Sequence, residues 1–323
     1  MATATKPRLL VTRRLPEAVE SRIGQSYTAE FNMSDVPMTG DAIADQSAGK
    51  DAILVAAGDA IGEAVVPRVA ASVKIIATFS VGIEHIGLQA ARQRGIAVTN
   101  TPDVLTAATA DMAVLLMLAA SRRLGEGERV VRAGQWSGWA PTQLMGSQVT
   151  GKRLGIIGMG RIGQAVAKRA RAFEMAVHYT NRNRLAPAAE DGAQYHASLE
   201  SLLKVSDVLS VHCPLTPETR GLINAARLAL LPRGAIVVNT ARGPVVDDQA
   251  LIAALASGHV VAAGLDVYDG EPKLNRGYLT LENAVLAPHL GSATVETRNA
   301  MGFRALDNLD AFFAGGQPRD KVA

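Results

Sequence analysis

Three side chains of different chemistry fall just beyond the carboxyl ends of three apolar, strand-like runs. Arg242 follows Ala235–Asn239 in NTARG, Glu271 follows Val261–Asp266 in LDVYDGEP, and His289 follows Ala284–Leu286 in APHLGSAT. In an open parallel sheet, ligands gather at that edge. Taken singly, each has a bland reading: a surface guanidinium, a loop carboxylate before proline, a structural imidazole. Their shared placement points to one crevice and three separate jobs. A planar guanidinium holds a substrate carboxylate in a fixed orientation. An imidazole gives a proton to a carbonyl oxygen as hydride arrives and recovers it in the reverse direction. A carboxylate on the other ring nitrogen fixes the tautomer and favours the protonated ring. A 2-oxo acid, with its carboxylate beside a carbonyl, uses all three.

The partner for that chemistry is signalled by Gly158-Met159-Gly160-Arg161-Ile162-Gly163, which lies between the apolar run Arg153–Ile157 and the helical stretch Gln164–Phe173. Gly158 permits a tight turn, Gly160 lets backbone approach a pyrophosphate, and Gly163 lets the helix pack on the sheet. The helix amino terminus adds N–H donors and positive potential. Beyond the next strand an NAD site usually places Asp or Glu for the ribose 2′-hydroxyl. This chain reads Thr180-Asn181-Arg182-Asn183-Arg184 instead. Arg182 or Arg184 can grip a 2′-phosphate that a carboxylate would repel, so NADP(H) is favoured and NAD(H) is the weaker alternative.

The elements needed to position these residues recur along the chain. Short apolar runs at Arg8–Thr12, Ala52–Ala56, Ile75–Phe79 and Ala97–Thr99 alternate with helical intervals, a parallel α/β pattern. A long helix is expected over Thr106–Arg123. A second series follows: Arg153–Ile157, Ala176–Thr180, Val208–Val211, Ala235–Asn239, Val261–Asp266 and Ala284–Leu286. These six runs suffice for a dinucleotide-binding sheet. The tail, Ala293 to Phe313, is again helical. A length of 323 residues suits two domains, with the crossings expected near 101 and 291. Residues 1–100 and 291–323 would form the substrate domain, and 101–290 the dinucleotide-binding domain inserted into it.

Charge and composition narrow the partners. The 33 Lys+Arg and 30 Asp+Glu leave a net charge of only +3, which argues against a nucleic-acid partner. The longest apolar run, Met112 to Ala120, is half the ~18 residues of a membrane span, and Met1 to Leu10 lacks a secretory pattern. The single Cys213 excludes an intramolecular disulfide and points to a reducing, cytoplasmic setting. The histidines at 178, 196, 212 and 259 lack metal-ligand spacing, so no metal is expected.

Read in order, GMGRIG, HCPLTPETRGLIN from His212, NTARGPVVD from Asn239, GLDVYDGEP from Gly264 and APHLGSAT from Ala287 resemble the D-2-hydroxyacid dehydrogenase family. The closest likeness is to its glyoxylate/hydroxypyruvate reductase branch, and it covers essentially the whole chain. The resemblance implies a Rossmann domain inserted in a flavodoxin-like substrate domain, with Arg242, Glu271 and His289 as active-site residues. It places Asp266 near the nicotinamide carboxamide. Cys213, Thr219, Thr240, Ala241 and Gly291 fall in segments that line the cofactor. In Ser80-Val81-Gly82-Ile83-Glu84-His85-Ile86, backbone N–H groups around Val81 and Gly82 would reach the substrate carboxylate. The family often has Asp or Asn where Glu84 and His85 stand, so neither side chain receives a role. Trp139, beside Trp136 in a chain that is only 4% aromatic, would lie near a homodimer interface and reach the partner's substrate pocket. Substrate groups drawn from both domains imply a cleft that closes in turnover. Two alternatives stand beside this reading: an NAD-dependent phosphoglycerate dehydrogenase-like enzyme, and a nucleotide-sensing, corepressor-type binding protein.

Overall fold

The computed structural model describes residues 5–323 and divides them into two compact units, one reaching Leu105 and resuming at Thr294, the other spanning Thr106–Ala293. In chain order the first unit runs β1 (Arg8–Val11), α1 (Glu17–Ser26), β2 (Thr28–Phe31), α2 (Gly40–Gln46), β3 (Ala52–Ala56), β4 (Ile75–Phe79), α3 (Leu88–Gln93) and β5 (Ala97–Thr99). The second begins with α4 (Thr106–Ser121) and α5 (Leu124–Arg132), then β6 (Arg153–Ile157), α6 (Arg161–Arg171), β7 (Ala176–Thr180), α7 (Pro187–Glu190), β8 (Gln194–Tyr195) and α8 (Leu199–Leu203). It continues through β9 (Val208–Val211), α9 (Ala225–Leu228), β10 (Ala235–Asn239), α10 (Asp248–Ala256), β11 (Val260–Leu265) and β12 (Ala284–Leu286), after which α11 (Val295–Phe313) returns to the first unit.

Both sheets are parallel, as buried, β-branched runs joined by helical crossovers require. The first has the order β2-β1-β3-β4-β5, the flavodoxin-like arrangement. Leu9, Val11, Leu54 and Ile75 on one face meet Ala305, Leu306 and Leu309 of α11, so the carboxyl-terminal helix completes that core. Thr294 caps α11 by accepting the Thr297 N–H at 3.1 Å. The second sheet, read from β8, runs β8-β7-β6-β9-β10-β11-β12, the Rossmann order with one added strand. Helix α4 is apolar almost all round. It buries Ala110, Ala113, Leu116, Met117 and Ala120 with β6 and α6 residues in one core.

The expected fold class is the one found. Two strands were not anticipated, β2 and β8, and each lies at the end of its sheet. The first reads TAEF with alternating exposure and the second is only two residues long, so neither carries the apolar run that marks a central strand. Among the described residues no helix is long and apolar enough to cross a membrane.

Candidate active site

The glycine loop joins β6 to α6 with three distinct steric demands. Gly158 has φ of +92°, and a Cβ there would stand 2.6 Å from the Cys213 nitrogen. Gly163 lies against the loop it follows, since its Cβ would meet the Gly158 oxygen at 2.4 Å. Gly160, immediately before α6, faces open space. An approaching pyrophosphate would therefore meet bare backbone and a helix amino terminus. Arg161 opens the helix and is exposed, while Ile162 packs half-buried against the core. Met159 is a core side chain, 1% exposed, and its N–H donates to Asn181 Oδ1 at 2.6 Å. Asn181 thus braces the loop, and the Met159 amide is not a free phosphate donor.

The structure separates the two arginines after β7. Arg184 makes a two-pronged pair with Glu190 (Nε–Oε1 2.8 Å, Nη2–Oε2 3.1 Å) and lies over the Tyr195 ring at 5.5 Å. Arg184, with a hydrogen bond from Tyr179, holds the Glu190 carboxyl down at about 2. Its guanidinium is spent on its own turn. Arg182 and Asn183 are exposed, and the charge of Arg182 reaches Glu218 in the loop after β9. In that loop Thr219 Oγ1 donates to the Pro214 carbonyl at 2.7 Å and accepts the Thr216 N–H at 2.7 Å, closing a turn. Burial pushes the Cys213 thiol up to about 11, so it sits beside the glycine loop as a neutral, unreactive group. Burial likewise takes His212 down to about 4.

At the ends of β10, β11 and β12 the chain brings the three chemical residues together. Asn239, 1% exposed, accepts the Ala241 N–H at 3.0 Å and donates to the Arg242 carbonyl at 3.0 Å. This side chain closes the NTARG turn and holds Thr240 and Ala241 buried at its base. Gly243 then passes so near the following loop that a Cβ would sit 1.9 Å from the Tyr268 carbonyl carbon. That approach sets Arg242 close enough for its charge to act on Glu271. Glu271 Oε1 accepts the Tyr268 N–H at 2.8 Å, and Oε2 pairs with His289 Nδ1 at 2.7 Å. Burial raises the Glu271 carboxyl, but the His289 and Tyr268 hydrogen bonds and the Arg242 charge outweigh it and hold the group below its usual range. An ionised Glu271 accepts from Nδ1–H, which leaves Nε2 as the imidazole atom available for proton transfer.

His289 has φ of +56°, and that unusual turn is held from beneath. Asp266, 1% exposed, accepts the Leu290 N–H at 2.6 Å and the Gly291 N–H at 2.7 Å, while its own carbonyl takes the His289 N–H at 2.9 Å. Thr109 Oγ1 adds a bond to the Gly291 carbonyl at 3.2 Å. Both oxygens of Asp266 therefore support the histidine turn. Burial pushes its carboxyl up despite these amides. The bracing roles of Asn239, Asn181 and Asp266 had no signal in spacing alone; each appears only once distant segments are paired.

In the other unit, Val81 and Gly82 follow β4 as an exposed and a half-buried residue. Trp139 lies in an irregular segment of the second unit and is 81% exposed, with Trp136 at 56%.

The arrangement of a glycine loop and a Glu–His pair beside an arginine, all on a Rossmann sheet, has known counterparts. The model for the D-isomer specific 2-hydroxyacid dehydrogenase NAD-binding domain matches residues 114–291. The chain belongs to the D-isomer-specific 2-hydroxyacid dehydrogenase family. Within that family it is 43% identical to the glycerate dehydrogenase of Hyphomicrobium methylovorum over 313 residues, 96% of this chain and 97% of the relative. It is 42% identical to the glyoxylate reductase of Thermococcus litoralis over 322 residues, 98% and 97% of the two chains. Among solved 2-hydroxyacid dehydrogenase structures, the NADPH-dependent glyoxylate/hydroxypyruvate reductase of Sinorhizobium meliloti, in complex with NADP and malonate, superimposes with a TM-score of 0.88 at 33% identity. That match covers 99% of this chain and 97% of that one. As a member of this family the protein is an oxidoreductase acting on small 2-oxo and 2-hydroxy acids.

Proposed function

We propose that this protein reduces small 2-oxo acids, glyoxylate and hydroxypyruvate foremost, to D-2-hydroxy acids with NADPH. The observation that carries the proposal is the Glu271–His289 pair, at 2.7 Å, with the Arg242 charge acting on its carboxylate. Arg242 holds the substrate carboxylate, and His289 Nε2 gives its proton to the carbonyl oxygen. Glu271 keeps the ring in the Nδ1–H tautomer and offsets the charge of the protonated imidazole. The amides of Val81 and Gly82 are assigned to the substrate carboxylate as well. The reduced dinucleotide, when bound, supplies the hydride. Gly158, Gly160 and Gly163 with the start of α6 would hold its pyrophosphate, Asp266 is assigned to its nicotinamide carboxamide, and Thr240 and Gly291 lie in segments assigned to the cofactor. The open space at Gly160 and the exposed Arg182 fit such a ligand.

The preference for NADPH rests on Arg182, because Arg184 is engaged by Glu190 and no carboxylate stands among residues 181–184. Arg182→Asp is expected to raise KM for NADPH by roughly 10- to 100-fold, the worth of a charge-assisted contact, and to leave NADH use nearly unchanged. Steady-state kinetics with glyoxylate, hydroxypyruvate and 3-phosphoglycerate, each with both cofactors, test the whole reading. A clear NADH preference, or turnover confined to 3-phosphoglycerate, would overturn it.

The working unit in this reading is a cytoplasmic homodimer. Helix α5 has no buried residue, and it exposes Leu124 and Val131 near the exposed Trp136, Trp139 and Met145 of the following segment, an apolar surface suited to a second copy. Trp139→Glu is expected to weaken dimerisation by roughly 30-fold or more, as removal of a central aromatic anchor does. Sedimentation equilibrium reads the change directly; a variant as dimeric as the parent places the interface elsewhere.

A further inference from the structure

The segment after β4 is held by hydrogen bonds that run through Ser80 and Thr78 to His85. Three consecutive carbonyls are tied back: Ser80 O accepts the Thr101 N–H at 2.9 Å, Val81 O accepts from Asn100 Nδ2 at 2.8 Å, and Gly82 O accepts from Ser80 Oγ at 2.6 Å. In a trans peptide the N–H points opposite to the carbonyl of the same plane. The three bonds therefore direct the N–H groups of Val81, Gly82 and Ile83 away from the groups that hold their carbonyls. None of these three amides donates to another group among the described residues. Preset, unspent donors in a row suit an anionic ligand.

The direction of the remaining bonds follows from counting hydrogens. A carbonyl only accepts, so the single hydroxyl hydrogen of Ser80 is spent on Gly82 O. In the 2.8 Å contact between Thr78 Oγ1 and Ser80 Oγ, Thr78 must then be the donor. With its own hydrogen spent, Thr78 accepts in the 3.1 Å contact with His85, whose Nε2 must carry the hydrogen. Thr78 is 0% and Ser80 5% exposed, so bulk water does not stand in for a missing member. A donor at His85 is what leaves Thr78 free to donate only inward, and hence Ser80 free to hold Gly82.

We infer that His85 is a positioning residue for catalysis: from an Nε2–H tautomer it acts through Thr78 and Ser80 to fix the Gly82–Ile83 peptide, and with it the Ile83 N–H, next to the Val81 and Gly82 amides of the substrate-carboxylate loop. The inference rests on the reading of the Val81 and Gly82 amides as carboxylate donors. It gives a role to a side chain that the motif comparison left without one. Both the neutral Nε2–H ring and the imidazolium can donate, so the role survives protonation, whereas a side chain of similar size without a donor loses it.

Two variants and one spectrum test this. In the unliganded parent protein, a long-range ¹H–¹⁵N spectrum should show the His85 hydrogen on Nε2. His85→Met, which keeps bulk and removes the donor, is expected to raise KM for glyoxylate and the inhibition constant of oxamate by about tenfold, the cost of a misaligned anchor. KM for NADPH and Tm should stay near the parent values. His85→Gln, whose amide N–H reaches a similar place, should recover most of the loss. A hydrogen on Nδ1 alone, an unchanged glyoxylate KM in His85→Met, or equal losses in the Met and Gln variants would each overturn the inference. A parent protein that reduces no 2-oxo acid would sink the functional reading instead, because the spectrum reads the bond network without substrate.

Discussion

Replacing His289 by Asn is expected to lower kcat for glyoxylate reduction by about 10²–10⁴-fold, the usual worth of a positioned general acid, with little change in KM for NADPH. Asn is the informative substitution because of the backbone. His289 has φ of +56°, a region that Asn tolerates better than most side chains, so the variant should fold as the parent does. Its amide can still donate to Glu271, but it has no proton to transfer. The companion variant Glu271→Gln keeps size and removes the charge that offsets the protonated ring. The Glu271 carboxyl is held below its usual range, so its ionised form is fully present above the ordinary carboxylate value and is lost only as pH falls through the lowered one. Any loss of turnover with rising pH near neutrality must therefore come from a different group. A His289→Asn protein with parental kcat would remove His289 as the proton donor.

The second large effect is expected at Arg242. Arg242→Ala should reduce kcat/KM for 2-oxo acids by roughly 30- to 5,000-fold, about 2–5 kcal/mol of transition-state stabilisation, since a carboxylate would be left in the site without its cation. Arg242→Lys should recover only part, because a point charge cannot reproduce the planar fork. A further sign distinguishes this from general damage. The Arg242 charge is among the influences lowering the Glu271 carboxyl, so its removal lets that group move up and shifts the acid limb of the pH–rate profile to higher pH. Thermal unfolding should change less than turnover, as Asn239 still closes the turn from both sides when the guanidinium and its 2.7 Å bond to the Ala241 carbonyl are removed. Parental turnover of glyoxylate and hydroxypyruvate in Arg242→Ala would refute the carboxylate clamp.

Central strands were readable from the chain because they are buried on both faces. Ala52–Ala56, Ile75–Phe79, Arg153–Ile157 and Ala235–Asn239 are strands over the very residues their apolar runs marked. The edge strands Thr28–Phe31 and Gln194–Tyr195 escaped because the first alternates in exposure and the second has only two residues, whereas the opposite edges, Ala97–Thr99 and Ala284–Leu286, carry apolar runs and were legible. The candidate site shows the same division. Residue types at strand ends announce which groups have the right chemistry, but not which are already engaged. Arg182 and Arg184 look equivalent in sequence; only the fold brings Glu190 to the second. Asp266 reads as a ligand-facing acid, and the fold adds that its carboxylate also holds the Leu290 and Gly291 amides, while His85 gains meaning only through two hydroxyls seven and five residues before it.

The crossing at Gly243 also bears on how such a site can change over time. With no room for even a methyl group between the NTARG turn and the Tyr268 backbone, the segments carrying Arg242 and Glu271 are locked main chain to main chain. Neither can accept an insertion or a bulkier residue at that point without moving the other, so the relative placement of Arg242 and Glu271 is inherited as a block. If the proposed function holds, variation in substrate size would then arise elsewhere, in exposed segments such as those around Val81 and Trp139. Directed libraries placed there should diversify selectivity while retaining turnover, and libraries across Gly243 should mostly yield inactive protein.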